Sequence, residues 1–214
     1  MRLSATCVAL ALAAHAPLAT ALDQNAAAAV PKGGYQIDKA HTSLVFRVSH
    51  LGFSTYTGRF ARVDARLDFD PARLAASNVD VTIDPTSIQA DNAPSGFLDS
   101  LAGSDWLDAA KFPAMSFRST SIEVTGKNTF RVHGDLTMHG VTKAVVLDAS
   151  YNGGYASHPM EPRARVGFSA RGSFKRSDFG VSYGIPAPGT TMGVGDEVQV
   201  ILETEFTGPP RPAS

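Results

Sequence analysis

Residues 61–69 read ARVDARLDF, a stretch in which apolar and charged side chains alternate without exception. The apolar positions are Ala61, Val63, Ala65, Leu67 and Phe69. Because successive side chains of a β-strand point to opposite faces, this pattern predicts a strand with one apolar face and one solvated face. Such strands are typical of antiparallel sheets, since parallel strands are covered on both faces and read as continuous apolar runs.

The same alternation recurs along most of the chain. It is found in residues 44–49, 79–84, 115–118, 136–138, 145–150, 166–171 and 198–205. Turn-forming residues separate several of these segments, as in residues 125–128 (TGKN) and 151–154 (YNGG). Seven to nine half-solvated strands predict a mainly-β domain, either an antiparallel barrel or a sandwich.

One segment breaks the period of two. Residues 94–111 (PSGFLDSLAGSDWLDAAK) place Phe97, Leu98 and Leu101 at helical spacing, and Gly103 ends that first helical piece. The pattern predicts one broken helix, with Ser104 capping a second short piece. Such a helix either closes the mouth of a barrel or merely connects two strands.

The composition limits the classes of partner. The chain has 214 residues, which fits one domain, with 43% hydrophobic and 18% charged residues. Nineteen basic residues stand against twenty acidic ones, for a net charge of −1. Without a basic excess to contact a phosphate backbone, we expect no nucleic-acid partner.

Residues 1–21 are predicted to be a secretory signal peptide. A positive start at Arg2, an apolar run in residues 7–14 too short to span a bilayer, and small residues at Ala19 and Ala21 predict cleavage after Ala21. An uncleaved membrane anchor is the alternative. Cleavage would remove Cys7, the only cysteine, and with it any thiol, disulfide or cysteine metal ligand.

The composition also predicts how the rest of the chain is divided. Residues 22–34 are rich in alanine and glycine and are predicted to form a linker. Residues 35–207 form the predicted domain, and the proline-rich residues 208–214 (GPPRPAS) are predicted to be a disordered tail.

Catalytic and metal-binding motifs are not apparent. Residues 167–171 (GFSAR) lack the second glycine of a nucleophile elbow, and residues 189–195 (GTTMGVG) lack the lysine and spacing of a phosphate-binding loop. The histidines beyond the signal peptide show no pair at i, i+4 and no HExxH motif: His41, His50, His133, His139 and His158. We therefore assign no catalytic residue and no metal ligand, and expect a protein that is not an enzyme.

His50 is the one polar residue that the pattern singles out. It shares the parity of Leu44, Phe46 and Val48, so it points inward if the strand reaches it. It is either a buried histidine bonded to a backbone carbonyl or a contact for the head group of a ligand.

Several segments together resemble the YceI-like proteins. They are residues 35–43 (YQIDKAHTS), 46–54 (FRVSHLGFS), 58–60 (GRF), 97–98 (FL), 105–108 (DWLD), 112–113 (FP), 134–143 (GDLTMHGVTK), 168–170 (FSA) and 176–180 (RSDFG). Each segment is weak alone, but they occur in order over nearly all of residues 35–207.

The resemblance implies an extended, lipocalin-like antiparallel barrel of about eight strands. It also implies a periplasmic protein that sequesters or shuttles an isoprenoid lipid, of quinone or polyprenyl type, inside the barrel. The lipid would be bound non-covalently, without a covalent cofactor, and its exchange would involve transient membrane contact. The oligomeric state stays open.

The inward phase of the predicted strands supplies the candidate ligand lining. These residues are Phe46, Val48, Ala65, Leu67, Phe117, Leu147, Phe168, Ala170 and Val200, with His50 as the head-group contact. Small residues such as Ala61, Ala65, Ala149 and Ala170 would leave room along the barrel axis. Two alternatives remain: an enzyme acting on a lipid or small molecule at the barrel mouth, and a stress-related structural protein with a filled core.

Overall fold

The computed structural model describes residues 30–210, which form an antiparallel sheet with one short α-helix. The strands are β1 (Gly33–Ile37), β2 (Ser43–His50), β3 (Ser54–Phe60), β4 (Val63–Phe69), β5 (Asn78–Ile83), β6 (Ile88–Gln89), β7 (Met115–Val124), β8 (Thr129–Met138), β9 (Val141–Tyr155), β10 (Arg163–Lys175) and β11 (Val194–Pro210). The α-helix is α1 (Phe97–Ala102). Short 3-10 turns lie at Lys39–His41, Leu74–Ala76, Pro85–Ser87 and Arg176–Phe179.

Eight strands close into a ring. Their order is β1-β4-β5-β7-β8-β9-β10-β11, and β11 then pairs with β1 through Gln36↔Thr207 and Ile37↔Phe206. Closure satisfies the backbone groups that an edge strand would leave unpaired. The predicted antiparallel barrel of about eight strands is therefore confirmed.

Strand β11 has 17 residues and is long enough to pair with two different strands along the same edge. Its second half pairs with β1, and its first half pairs with β2 from Val194↔His50 to Glu203↔Ser43. Strands β3 and β6 continue the sheet beyond β2. This extension raises the wall on one side of the barrel above the closed ring.

The alternation in residues 61–69 has the predicted consequence within β4. Buried and exposed residues alternate strictly from Val63 to Phe69, and Val63 is the first buried one. Ala61 is an exception to the prediction, because it precedes the strand and is exposed. Its backbone N–H donates to the Ser87 carbonyl at 3.0 Å, so it belongs to the turn that enters β4.

Only one of the two predicted turns is present. Residues 125–128 do connect β7 to β8, but residues 151–154 lie inside β9. The register shifts there between Phe168↔Tyr151 and Gly167↔Gly153, which leaves Asn152 as a bulge. Gly153 has φ +138°, a conformation available to glycine, so the YNGG sequence bends the strand instead of ending it.

The predicted linker and tail are both too long. Within the predicted linker, Val30 is buried and strand β1 begins at Gly33. Within the predicted tail, β11 continues to Pro210, and the buried Gly208 lies against the Tyr35 ring. These segments lack apolar alternation, but pairing with neighbouring strands orders them. Residues 1–29, with the predicted signal peptide, Cys7 and the rest of the predicted linker, and residues 211–214 lie outside the described part of the chain.

The segment of residues 94–111 is helical only in its first part. Helix α1 has six residues and ends at Gly103, whose N–H donates to the Ser100 carbonyl. The predicted second piece, after Ser104, is a series of turns. In residues 30–210 no helix has the length and apolar character needed to cross a membrane.

An ion-pair network braces the seam where β1, β10 and β11 meet. Arg165 on β10 donates to Asp38, just after β1, at 2.6 Å, and also to Glu205 on β11. His41 Nδ1 lies 2.9 Å from the Asp38 carboxylate. Asp38, His41 and Glu205 each offer a metal-ligand atom within 4.8 Å of the others, but the Arg165 guanidinium bonds both carboxylates.

Burial of Asp38 acts to raise its pKa, but hydrogen bonds from Arg165, His41 and the Ala40 backbone outweigh burial and hold that pKa at about 2. The pKa of an aspartate in an unfolded chain is about 3.9. The network therefore stabilises the fold fully above that pH and loses its effect as the pH falls toward 2. We predict that Asp38→Asn lowers the free energy of unfolding by about 1–2 kcal/mol at pH 7. The difference from the unmodified protein should shrink below about pH 4.

Urea denaturation at a series of pH values measures this difference. Asp148→Asn is the control, because that side chain is 82% exposed and pairs with Arg131 on the outer surface. It should change the free energy of unfolding by less than about 0.5 kcal/mol. A difference for Asp38→Asn that stays constant down to pH 2 would contradict the assignment.

Candidate functional site: an apolar cavity in the barrel

The barrel encloses a cavity of about 550 Å³ whose wall is almost entirely hydrocarbon. This volume lies in the range of small-molecule binding pockets. A close-packed protein core contains few voids larger than a water molecule, so the interior is not a filled core. The structure thus contradicts the alternative of a barrel filled with its own side chains.

All ten residues proposed from the inward phase line this cavity. They are Phe46, Val48, His50, Ala65, Leu67, Phe117, Leu147, Phe168, Ala170 and Val200. The period of two therefore predicted the facing of the strands that carry them. Contact between these residues and a ligand stays a prediction.

Small residues in neighbouring strands create the space. Ala170 on β10 pairs directly with Ala149 on β9, so two methyl groups stand side by side where larger side chains would meet. On β3, Gly58 lies opposite Phe46, and a Cβ on Gly58 would overlap the Phe46 ring. The absence of a side chain at Gly58 leaves room for that ring beside it.

An aromatic cluster forms the floor of the cavity. Phe168 lies at its centre, with ring centroids 5.7 Å from Phe69, 5.6 Å from Tyr151, and 6.1 Å from both Phe130 and Phe206. Three of these four contacts are edge-to-face, and such contacts add to the stabilisation from burial. Phe168 itself is only half-buried, since its ring also faces the cavity.

Helix α1 and the turns after it cover the opposite end. Phe97 and Leu101 of the helix line the cavity, and so do Trp106 and Leu107 from the turns. The Phe97 ring packs edge-on against Tyr56 of β3 at 5.8 Å. Of the two roles open to this segment, the structure supports closure of the barrel mouth.

Arg176 anchors the loop beside the mouth. It is 4% exposed, and its guanidinium donates to the carbonyls of Val181, Tyr183, Val194 and Gly195 at 2.8–2.9 Å. Burial lowers the pKa of Arg176, while the charge of Asp196 acts to raise it. Its guanidinium also lies 5.0 Å from the Trp106 ring centroid. One side chain thus links the loop of residues 180–193 and the start of β11 to the segment that covers the cavity.

His50 is not a buried histidine. Strand β2 does reach His50, and the side chain lines the cavity, but it is exposed and makes no side-chain hydrogen bond within residues 30–210. It lies at the rim because β2 ends there and the chain turns into β3. The interpretation of a core histidine bonded to a carbonyl is therefore wrong, and a head-group contact stays a prediction.

Three residues of the mouth were not among the predicted lining residues: Tyr56, Trp106 and Arg176. Tyr56 shares inward parity with Gly58 and Phe60 in residues 54–60 (STYTGRF), so an available signal was missed. Arg176 follows the end of β10 and Trp106 lies in a turn. The alternation of a strand therefore could not predict which way either side chain faces.

The barrel and its cavity define a class of proteins that hold a ligand inside a closed antiparallel sheet. Residues 35–206 match the model of the YceI-like domain. A UPF0312 protein of Vibrio cholerae serotype O1 is 34% identical over 173 residues, which cover 80% of this chain and 85% of that protein. The chain belongs to the YceI-like family.

Solved structures show the same fold. Burkholderia cenocepacia BcnA is similar with a TM-score of 0.68 and 28% identity, over 79% of this chain and 98% of that one. A domain from Saccharophagus degradans, described as polyisoprenoid binding and implicated in plant cell wall breakdown, has a TM-score of 0.59. It is 14% identical over 82% of this chain and 98% of that one, so the likeness concerns the fold alone.

We predict that Ala170→Phe fills the cavity. Uptake of a hydrophobic fluorophore such as anilinonaphthalene sulfonate should fall sharply, while the melting temperature of the ligand-free protein should hold or rise. In a close-packed interior the same change would cost about 1–3 kcal/mol.

The matched control is Ala144→Phe. Ala144 is exposed on β9, so the variant places the same ring on the outer surface. Fluorophore uptake should then be unchanged. Equal losses of uptake in the two variants would show that the fluorophore does not report on the cavity.

Proposed function

We propose that this protein binds an isoprenoid lipid, of quinone or polyprenyl type, in its barrel and sequesters or shuttles it. The observation that carries the proposal is the 550 Å³ cavity with a hydrocarbon wall. An apolar wall with few polar groups suits a chain of repeated apolar units, because burial of each CH₂ is worth about 0.8 kcal/mol relative to water. The polyisoprenoid binding described for the Saccharophagus degradans domain supports the same ligand class.

Energetics favour a carrier or buffer over a tight receptor. The free energy gained by moving a long prenyl chain from water into the barrel would exceed the strongest measured binding free energies, which are roughly 18–21 kcal/mol. In a cell, however, that chain comes from a bilayer that is already apolar. The net free energy of transfer into the barrel is therefore small, which allows both loading and release.

The proposal is binding without catalysis. An enzyme at the barrel mouth would need polar side chains converging around His50, and that imidazole makes no side-chain hydrogen bond within the described chain. The nearby Arg176 is engaged with four backbone carbonyls. We further propose that the protein acts in the periplasm, on the strength of the predicted signal peptide in residues 1–21.

Mass spectrometry of organic extracts tests the ligand class. Protein purified from the periplasm, without added lipid, should release a prenyl quinone or polyprenyl lipid in near-stoichiometric amount. Phe46→Asp should abolish recovery or unfold the domain, since it places a charge in an apolar wall. Arg47→Asp, which changes the next residue on the outer phase of β2, should retain the lipid. Repeated extracts of the unmodified protein without any prenyl lipid would overturn the proposal.

We also propose that the cavity mouth touches a membrane during lipid exchange. Two loops meet at this rim, where the Leu51 N–H donates to the Gly193 carbonyl at 2.8 Å. Three large apolar residues of these loops are exposed to solvent: Phe53 is 80% exposed, Tyr183 57% and Met192 64%. Residues 180–195 include no charged side chain, in a chain with 18% charged residues. These two loops give the rim an uncharged, apolar part that continues into an apolar cavity. Such a surface suits contact with a bilayer, because a prenyl chain could cross without entering water.

The double variant Phe53→Ser, Met192→Ser tests this contact. Transfer of a prenyl lipid from the protein to phosphatidylcholine vesicles should slow by about tenfold, since two side chains that insert into the interface are lost. Affinity for a short, water-soluble prenyl analogue should be unchanged.

Met160→Ser is the matched control for the rim. Met160 is 90% exposed, but it lies between β9 and β10, at the opposite end of the barrel from the mouth. Transfer at the unmodified rate is expected for this variant. Slowing by both variants alike would argue against a role of the rim.

A further inference from the structure

Tyr56 holds a polar atom that the fold leaves without a partner. Its hydroxyl is shielded from solvent and makes no hydrogen bond among residues 30–210. A buried hydroxyl without a partner costs free energy, and native structures contain few of them. Tyr56 also lines the cavity, so the unpaired group belongs to the wall of the binding site.

The strand register places Tyr56 one step below the rim. Val48 on β2 pairs with Tyr56, whereas His50 at the rim pairs with Ser54. On the other side of Val48 lies Val198 of β11, which pairs with Phe174 of β10. The Tyr56 hydroxyl is therefore set in an otherwise apolar layer, beneath the Phe97 ring of α1.

Other polar side chains of the wall already have partners or meet solvent. Near the floor, the Thr42 hydroxyl donates to the Asp38 carbonyl and Thr204 to that of Phe168. Near the mouth, His50 and Ser173 are exposed and can be hydrated. Tyr56 differs from these residues, because neither the protein nor the solvent satisfies its hydroxyl.

We propose that the Tyr56 hydroxyl donates a hydrogen bond to an oxygen atom in the head group of the bound isoprenoid lipid. This inference rests on the proposed function and adds the polar end of the ligand to it. A phenol hydroxyl pairs with a carbonyl or phosphate oxygen, whereas a prenyl hydrocarbon offers no acceptor. Burial raises the pKa of Tyr56, so the phenol keeps its proton at neutral pH.

The proposal fixes the orientation of the ligand. The head group would lie at the mouth, under Phe97, and the prenyl chain would extend toward the aromatic floor around Phe168. The oxygen would reach the hydroxyl by displacing the Phe97 ring edge. Because the site excludes water, this hydrogen bond would not compete with solvent.

Tyr56→Phe tests the proposal, because it removes the hydroxyl and keeps the ring against Phe97. The probes share six isoprene units and differ in the head group: squalene, hexaprenol, hexaprenyl phosphate and a quinone with a hexaprenyl tail. Trp106, the only tryptophan, lines the cavity and reports binding by its fluorescence. We expect a loss of roughly three- to tenfold in affinity for the quinone, the phosphate or both, and no change for squalene. The larger of the two losses identifies the head group.

The outcomes separate this inference from the function it rests on. Unchanged affinity for every oxygenated probe, or an equal loss that includes squalene, would overturn the role of Tyr56 and leave lipid binding intact. If the unmodified protein binds none of the four probes, the proposed function fails and the inference fails with it. Tyr155→Phe is the control, since Tyr155 lies outside the cavity and bonds Arg165, and it should leave all four affinities unchanged. Without ligand, Tyr56→Phe should melt at the same temperature as the unmodified protein or higher, because an unpaired hydroxyl is gone.

Discussion

The backbone pairing between β1 and β11 is the constraint on which the rest of the structure depends. It converts an open sheet into a ring, and a ring of eight strands has an interior that its own side chains can fill or leave open. Tyr35 and Gly208 show how closely the seam is packed. The fully buried Tyr35 ring lies where a Cβ on Gly208 would be, and its hydroxyl donates to the Pro31 carbonyl at 2.6 Å. Outside the ring, Arg165 joins Asp38 to Glu205 across the same seam.

Once the ring is closed, the size of the inward-facing side chains decides which parts of the interior are filled and which stay open. Large rings gather around Phe168 and fill the floor, whereas Ala149, Ala170 and Gly58 leave the upper part open. The open part is then covered by α1 and by the turn that holds Trp106. Stability and binding are thus divided along the barrel axis, with close packing at one end and an accessible apolar wall at the other.

The mouth combines three features that an apolar ligand would meet in order. An uncharged rim with Phe53 and Met192 comes first, a cover that includes Phe97 and Trp106 comes next, and the unpaired Tyr56 hydroxyl lies beneath it. Arg176 ties the rim loop to the cover through four carbonyls and the Trp106 ring. A displacement of the loop of residues 180–193 would therefore alter the contact between Arg176 and Trp106.

The sequence by itself determined most of the strands and the direction in which their side chains face, but not β1, β3 and β6. Alternation in segments such as residues 61–69 is a local property, and all ten proposed lining residues do line the cavity. Other features needed the tertiary structure, because they depend on contacts between residues far apart in the chain. The glycines of residues 151–154 form a bulge rather than a turn because β10 continues beside them. Gly33 and Gly34 pair with β4, and Pro210 pairs with Arg163 of β10, so these ends of the domain are held by distant strands. The cavity, the exposure of His50 and the isolation of the Tyr56 hydroxyl arise only when distant strands meet, since no local pattern records which side chains a closed ring will bring together or leave apart.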